Sequence, residues 1–134
     1  MLNKIGYIDL VGDLFHFGHV RQIKEVYNQG YIVVVGVHSD ATVESYKRTP
    51  IMTMQERIEV VEACKYVTKV IPDAPLIITE DYLTEHKIDM VFHGHSEDED
   101  EKYKAMYAVP SKLEKFTRTA YTTGISTTTD YRTR

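Results

Sequence analysis

His16 and His19 stand three residues apart in the stretch Asp13–Leu14–Phe15–His16–Phe17–Gly18–His19, with a glycine directly before the second histidine. Residues 5–10 lead into it as a strand, and residues 19–28 lead out as a helix. A helix N-terminus offers backbone N–H groups and the positive end of a macrodipole, which suits a phosphate. Side chains at i and i+3 share a helix face, so both imidazoles could address one anion. The same pair could instead ligate a metal, although no cysteine and no carboxylate at ligand spacing accompanies it. It could also be structural. Lys47, Arg118 and the Ser126 region add cations and donors further along. No Ser-His-Asp order and no CxxC is present. Such a set suits a polyphosphate rather than acyl transfer. Nucleotidyl transfer asks the protein mainly for position and charge neutralisation. A phosphate monoester, with a second pKa of about 6, attacks without a general base. Two histidines and Lys47 around the α-phosphate and the departing pyrophosphate would then suffice.

Elements must bring these groups together. The strand at 5–10 is followed by a helix with apolar Val20, Ile23, Val26 and Tyr27, stopped by Gly30. Residues 31–37 form a β-branched central strand, giving a βαβ unit with a right-handed crossover. His38, Ser39 and Asp40 lie beyond it, where ligands of open parallel sheets sit; Asp40 is a ribose ligand or a helix cap. Residues 47–50 are a basic loop kept out of helix by Pro50. Thr53–Met54–Gln55–Glu56 is a capping box opening a helix to about Tyr66, with Ile58, Val61, Ala63 and Cys64 facing inward. Strands follow at 67–71, 88–93 and 115–119, and helices at 79–86 and 102–109, the latter ended or restarted by Pro110. The acids at 97–101 read as a solvated loop. Ser126 or Thr127 could cap a last helix. This alternation predicts an α/β doubly wound parallel sheet of about five strands with helices on both faces. The glycines do not form GxGxxG, which argues against a nicotinamide or flavin.

Composition sets the frame. The 134 residues suffice for one domain, 1–134, with its own core. Hydrophobic and charged fractions of 43% and 27% are those of a soluble globular protein. A net charge of -4 argues against nucleic acid as partner. The single cysteine, Cys64, excludes an intrachain disulfide and fits a reducing cytoplasm. No signal-peptide pattern follows Met1, and the apolar run at 31–37 is too short to cross a bilayer, so no membrane insertion is expected.

The motifs together resemble the CTP-dependent cytidylyltransferases that make CDP-alcohols, within the HxGH nucleotidyltransferase superfamily. The resemblance rests on His16–Phe17–Gly18–His19, Gly36–Val37–His38–Ser39–Asp40, Lys47, Gln55–Glu56–Arg57, Asp73–Ala74–Pro75 and Gly124–Ile125–Ser126–Thr127–Thr128. They occur in the family's order across nearly the whole chain. The resemblance implies a Rossmann-like fold and transfer of CMP from CTP to a phosphoalcohol, with pyrophosphate released. It implies His16, His19 and Lys47 as catalytic residues. It implies Leu10, Val11, Gly18, Asp40, Arg118, Gly124, Ile125, Ser126 and Thr127 around the nucleotide. Asp13, His93 and Tyr103 are expected at the second substrate. Mg²⁺ would be held mainly by the triphosphate, and a homodimer is implied by analogy.

The chain departs from the family's pattern at several points. The first strand ends Asp9–Leu10–Val11–Gly12–Asp13, with the glycine displaced from its usual place after the first Asp. Tyr121 stands where the family has an arginine, and Arg118 lies three residues before it. His95 and Ser96 stand where an acidic pair is usual. Leu76 replaces the tryptophan of the choline enzymes, and the chain has no Trp for a quaternary-ammonium cage. Phosphoethanolamine is therefore favoured, phosphocholine remains possible, and glycerol-3-phosphate is the next alternative. An ATP-dependent HxGH enzyme and a non-catalytic nucleotide-binding module are the rival readings.

Overall fold

The computed structural model describes residues 4–95 and 97–119. Its elements in chain order are β1 (Ile5–Leu10), α1 (Phe17–Asn28), β2 (Ile32–Val37), α2 (Asp40–Glu44), α3 (Met54–Glu62) and β3 (Lys69–Ile71). After these come α4 (Glu80–Glu85), β4 (Met90–Gly94), a 3-10 turn at Glu97–Glu99, α5 (Asp100–Tyr103), α6 (Ala108–Lys112) and β5 (Phe116–Thr119). The strands form one sheet in the order β3-β2-β1-β4-β5. Every pairing is parallel, with Ile8 opposite Val35 on one side and Phe92 on the other. The doubly wound expectation therefore holds. The strand order reverses between β1 and β4, and such a switch point leaves a crevice at the carboxyl ends.

Alternation along the strands divides the core between the two faces. Ile8, Val33, Val35, Val37 and Phe92 pack with Ile23 and Val26 of α1 and with Ile58 and Val61 of α3. Tyr7, Val34 and Val91 pack on the opposite side with Ile78, Leu83, Ile88, Tyr103 and Tyr107. Each fully buried aliphatic side chain contributes about 1.5–3 kcal/mol, so both faces must be covered for the sheet to persist.

Several boundaries differ from those read in the sequence. The α3 capping box forms as expected, Thr53 Oγ1 accepting from Glu56 N and Glu56 Oε1 from Thr53 N. The helix nevertheless ends at Glu62, because residues 63–68 turn to deliver Thr68 N to the Val33 carbonyl. Ala63 is thus exposed and Cys64 half-buried, rather than both facing inward. Ser39, not Asp40, caps α2, and Asp40 is its first residue. The acidic run is helical rather than a loop, with Asp100 and Glu101 at the favourable N-terminal end of α5. The helix expected at 102–109 is broken. Pro110 has no N–H to bond the Met106 carbonyl four residues back, and that carbonyl accepts instead from Ile78 N at 3.1 Å. Pro110 thus lies in the first turn of α6.

Candidate active site

The β1–α1 connection needs a left-handed residue two positions after β1 and finds Gly12 there, with φ +71°. The displaced glycine is therefore a turn residue. Asp13 follows, buried, and its carboxylate accepts from Ile51 N and Met52 N, both at 2.9 Å. Asp13, expected at the second substrate, thus ties the loop after Lys47 to the start of α1. Gly30, with φ +93°, ends that helix as expected.

His16 is the N-cap of α1 and lies just outside it. Its Nδ1 accepts from Gly18 N at 3.1 Å, and His19 Nδ1 accepts from His16 N at 3.1 Å. The backbone donor of Gly18, expected for phosphate, is thus already taken by the cap. The rings gain what the backbone loses. A neutral imidazole whose Nδ1 accepts must carry its hydrogen on Nε2, so both rings are set as Nε2–H donors. Their centroids are 4.1 Å apart. Burial, then His16 and Lys47, lower His19 to about 4 against a partial rise from Asp13, so its ring is neutral at pH 7.

These groups line a cavity of about 530 Å³ at the carboxyl ends of β1, β2 and β4. Its lining includes His16 and His19 and the cations Lys47, Arg48 and Lys102. Lys47 is an exposed residue. Its ammonium is nonetheless drawn below the usual lysine value by lost hydration, then by Lys102 and Arg48, with Glu99 opposing. The same lining includes Asp9, His38, Tyr46, His93 and Tyr103. Asp9 Oδ1 accepts from Tyr107 Oη at 2.6 Å, and burial, then Asp9, raises the Tyr107 hydroxyl pKa. Asp9 Oδ2 is buried without a hydrogen-bond partner, 3.5 Å from the likewise unpartnered Nε2 of His38. Buried polar atoms are rarely left so.

Leu10, Val11, Asp13, His93 and Tyr103 also border this cavity. Asp40 and Arg118 are not among its lining residues. The Asp40 carboxylate accepts from Arg57 at 2.6 Å, and Arg118 donates to both oxygens of Asp100 at 3.0 and 3.1 Å. Gly124, Ile125, Ser126 and Thr127 lie outside the described residues.

Sequence reasoning passed over two residues as site components. Asp9 was visible as an acid inside an apolar strand. Arg57 falls four residues before Val61, on the inward stripe of α3, and is fully buried. Its guanidinium donates to the carbonyls of Val11, His38 and Met52 as well as to Asp40. It thereby locks the ends of β1 and β2 to the loop before α3.

Residues 13–134 match the Cytidylyltransferase-like family. The chain belongs to this family. Among relatives of the Cytidylyltransferase-like chain, an ethanolamine-phosphate cytidylyltransferase from Dictyostelium discoideum is 38% identical over 122 residues, covering 91% of this chain and 34% of its own length. A choline-phosphate cytidylyltransferase from Saccharomyces cerevisiae is 36% identical over 127 residues, covering 90% and 29%. The chain thus spans about a third of the length of the curated relatives it matches. In fold it is similar to the lipopolysaccharide core biosynthesis protein from Thermoplasma volcanium GSS1, with a TM-score of 0.72 at 24% identity, covering 89% of this chain and 98% of that one. No helix among the described residues of this Cytidylyltransferase-like chain is long and apolar enough to cross a membrane.

Proposed function

We propose that the chain transfers CMP from CTP to a phosphoalcohol, releasing pyrophosphate, with phosphoethanolamine the favoured acceptor. The observation that carries this reading is that one cavity is lined both by His16, His19 and Lys47 and by Asp9 and His93. His16, His19 and Lys47 suit the phosphates that must meet, and Asp9 with His93 suits a cationic head. The relatives' names are consistent with both phosphoethanolamine and phosphocholine.

In the transfer step, the acceptor's phosphate oxygen forms a bond to the α-phosphorus as the bond to the pyrophosphate oxygen breaks. The Nε2–H groups of His16 and His19 donate to the charge that builds on the α-phosphate and the leaving group. Donors held in place before the reaction need little reorganisation. Lys47 offsets repulsion between the two anionic substrates, most strongly where they are closest. Asp9, its side chain buried beside His38, supplies negative charge that a cationic head would feel. Among the described residues no group of three or more His, Cys, Asp or Glu side chains is set to hold a metal. Mg²⁺ would be carried mainly by the triphosphate, whose charge it neutralises. The homodimer implied by the resemblance belongs to the same proposal and is checked by light scattering.

A pyrophosphate-release assay tests the reading, using each of the four nucleoside triphosphates against phosphoethanolamine, phosphocholine and glycerol-3-phosphate. Release with CTP and an amino-alcohol phosphate is the expected result. A higher kcat/KM for glycerol-3-phosphate would overturn the acceptor, and the absence of release with every acceptor would favour a binding module.

A further inference from the structure

His93 is the last residue but one of β4 and lines the cavity near Asp9. Its ring lies between those of Tyr103 and Tyr107, at centroid distances of 4.7 and 4.9 Å, which fixes its plane. Its Nδ1 is 2.8 Å from Nδ1 of His95. His95 is buried, and its Nε2 is 2.7 Å from Oδ1 of Asp100. Asp100 in turn takes Arg118 Nη1 on both of its oxygens. These four residues form a chain from the surface of α5 and β5 into the cavity.

With His95 uncharged, the end of the chain sets the direction of every bond in it. A carboxylate paired with a guanidinium accepts and does not donate. Neutral His95 must then place its hydrogen on Nε2, facing Asp100, and its Nδ1 must accept. Two nitrogens sharing one hydrogen bond need one donor, so His93 Nδ1 carries the hydrogen. That leaves His93 Nε2 with a lone pair. Burial is the largest reason that the ring is held to about 4 and stays neutral at pH 7, against a partial rise from Asp9.

We propose that Asp100 and His95 are positioning residues that hold His93 as its Nδ1–H tautomer, so that Nε2 meets the acceptor substrate as a hydrogen-bond acceptor and selects a primary over a quaternary ammonium. This rests on the phosphoalcohol reading above. A primary ammonium has three N–H donors and a quaternary one has none. Asp9 attracts both through charge, whereas a lone pair on His93 rewards only the first. The setting is opposite to that of His16 and His19, whose Nδ1 atoms accept and whose Nε2 atoms donate. One cavity thus holds donor histidines for phosphate and an acceptor histidine for the head group.

Asp100→Asn tests the mechanism without shortening a side chain. Arg118 would hold the amide oxygen, the amide nitrogen would donate to His95 Nε2, and each hydrogen in the chain would reverse. Long-range ¹H–¹⁵N spectra of histidine-labelled protein at neutral pH read the tautomer directly, with no substrate present. Wild-type His93 is expected as Nδ1–H and Asp100→Asn as Nε2–H. An Nε2–H or doubly protonated His93 in the wild type would overturn the proposal. In kinetics, the kcat/KM ratio of phosphoethanolamine to phosphocholine should fall about tenfold in Asp100→Asn, the size of one hydrogen bond to a charged group. A merely structural role would depress both acceptors alike and leave that ratio unmoved, which would also overturn it. Wild-type protein that turns over neither acceptor would refute the functional reading and the selectivity with it, while the spectra would still decide the tautomer.

Discussion

His19 Nδ1 accepts the backbone N–H of His16 at 3.1 Å. One ring nitrogen therefore holds the start of α1 together, and its presence on Nδ1 commits the other nitrogen to donation. Capping and phosphate recognition are two ends of one imidazole. Substitutions that keep one end at a time can separate them.

His19→Asn keeps an acceptor near the Nδ1 position and loses the Nε2 donor. Its thermal midpoint should stay close to wild type, while kcat falls by about 10²–10³, the usual loss for one donor aimed at transition-state charge. His19→Gln should show the reverse balance. It keeps an amide N–H near Nε2 and loses the cap, at a cost of about 1 kcal/mol. Calorimetry and steady-state kinetics on both variants make the comparison. Equal loss of stability in the two would return His19 to a structural role.

Lys47→Ala should lower kcat and raise KM for both CTP and the phosphoalcohol, since one ammonium faces both anions. Lys47→Arg should rescue poorly, because a planar guanidinium is broader than an ammonium that already sits among protein atoms. Near-wild-type parameters for Lys47→Ala would make it a surface charge.

Arg57→Ala should be the most destabilising of these changes. It uncovers the Val11 and His38 carbonyls, which accept from Nη1 at 2.7 and 2.8 Å, and releases the Met52 carbonyl as well. Loss of a buried charged partner in such a network costs roughly 3–5 kcal/mol. Arg57→Lys should recover little, since one point of donors cannot span these separate acceptors. Urea denaturation measures both variants, and a loss below about 1 kcal/mol for Arg57→Ala would contradict the locking role.

Stability should fall on mild acidification. His19 and His93 both titrate near 4 in the folded chain, lowered from 6.5 chiefly by burial. Between these values the unfolded chain binds more protons, so unfolding becomes easier as pH drops from about 6.5 to 4, with no contribution from these rings above that window. Urea midpoints across the range should show the slope, and His93→Gln should flatten it. A midpoint independent of pH across this window would contradict the neutral rings.

Much of the frame was legible in the residues. β1 was read with the limits it has, since a short apolar run between polar residues carries its own signal. The Thr53–Glu56 box and the Gly30 stop are likewise local, each depending on a hydrogen bond or a φ angle within a few residues. His16 and His19 were visible because their spacing and their strand–turn–helix setting are local too.

What only the tertiary structure decided are the long-range hydrogen bonds. Met106 gives its carbonyl to Ile78, 28 residues away in sequence, and the helix expected over 102–109 breaks there. Asp40 was expected at the nucleotide from its place beyond β2 and Arg118 from the resemblance, and only the folded chain shows that Asp40 pairs with Arg57 and Arg118 with Asp100. Asp9 meets Tyr107 across 98 residues, so neither side chain alone announces a buried acceptor with one oxygen unused. A charge written in sequence carries no information about which partner neutralises it. That is settled only when the sheet brings the ends of β1, β2 and β4 side by side and each donor finds the acceptor within reach.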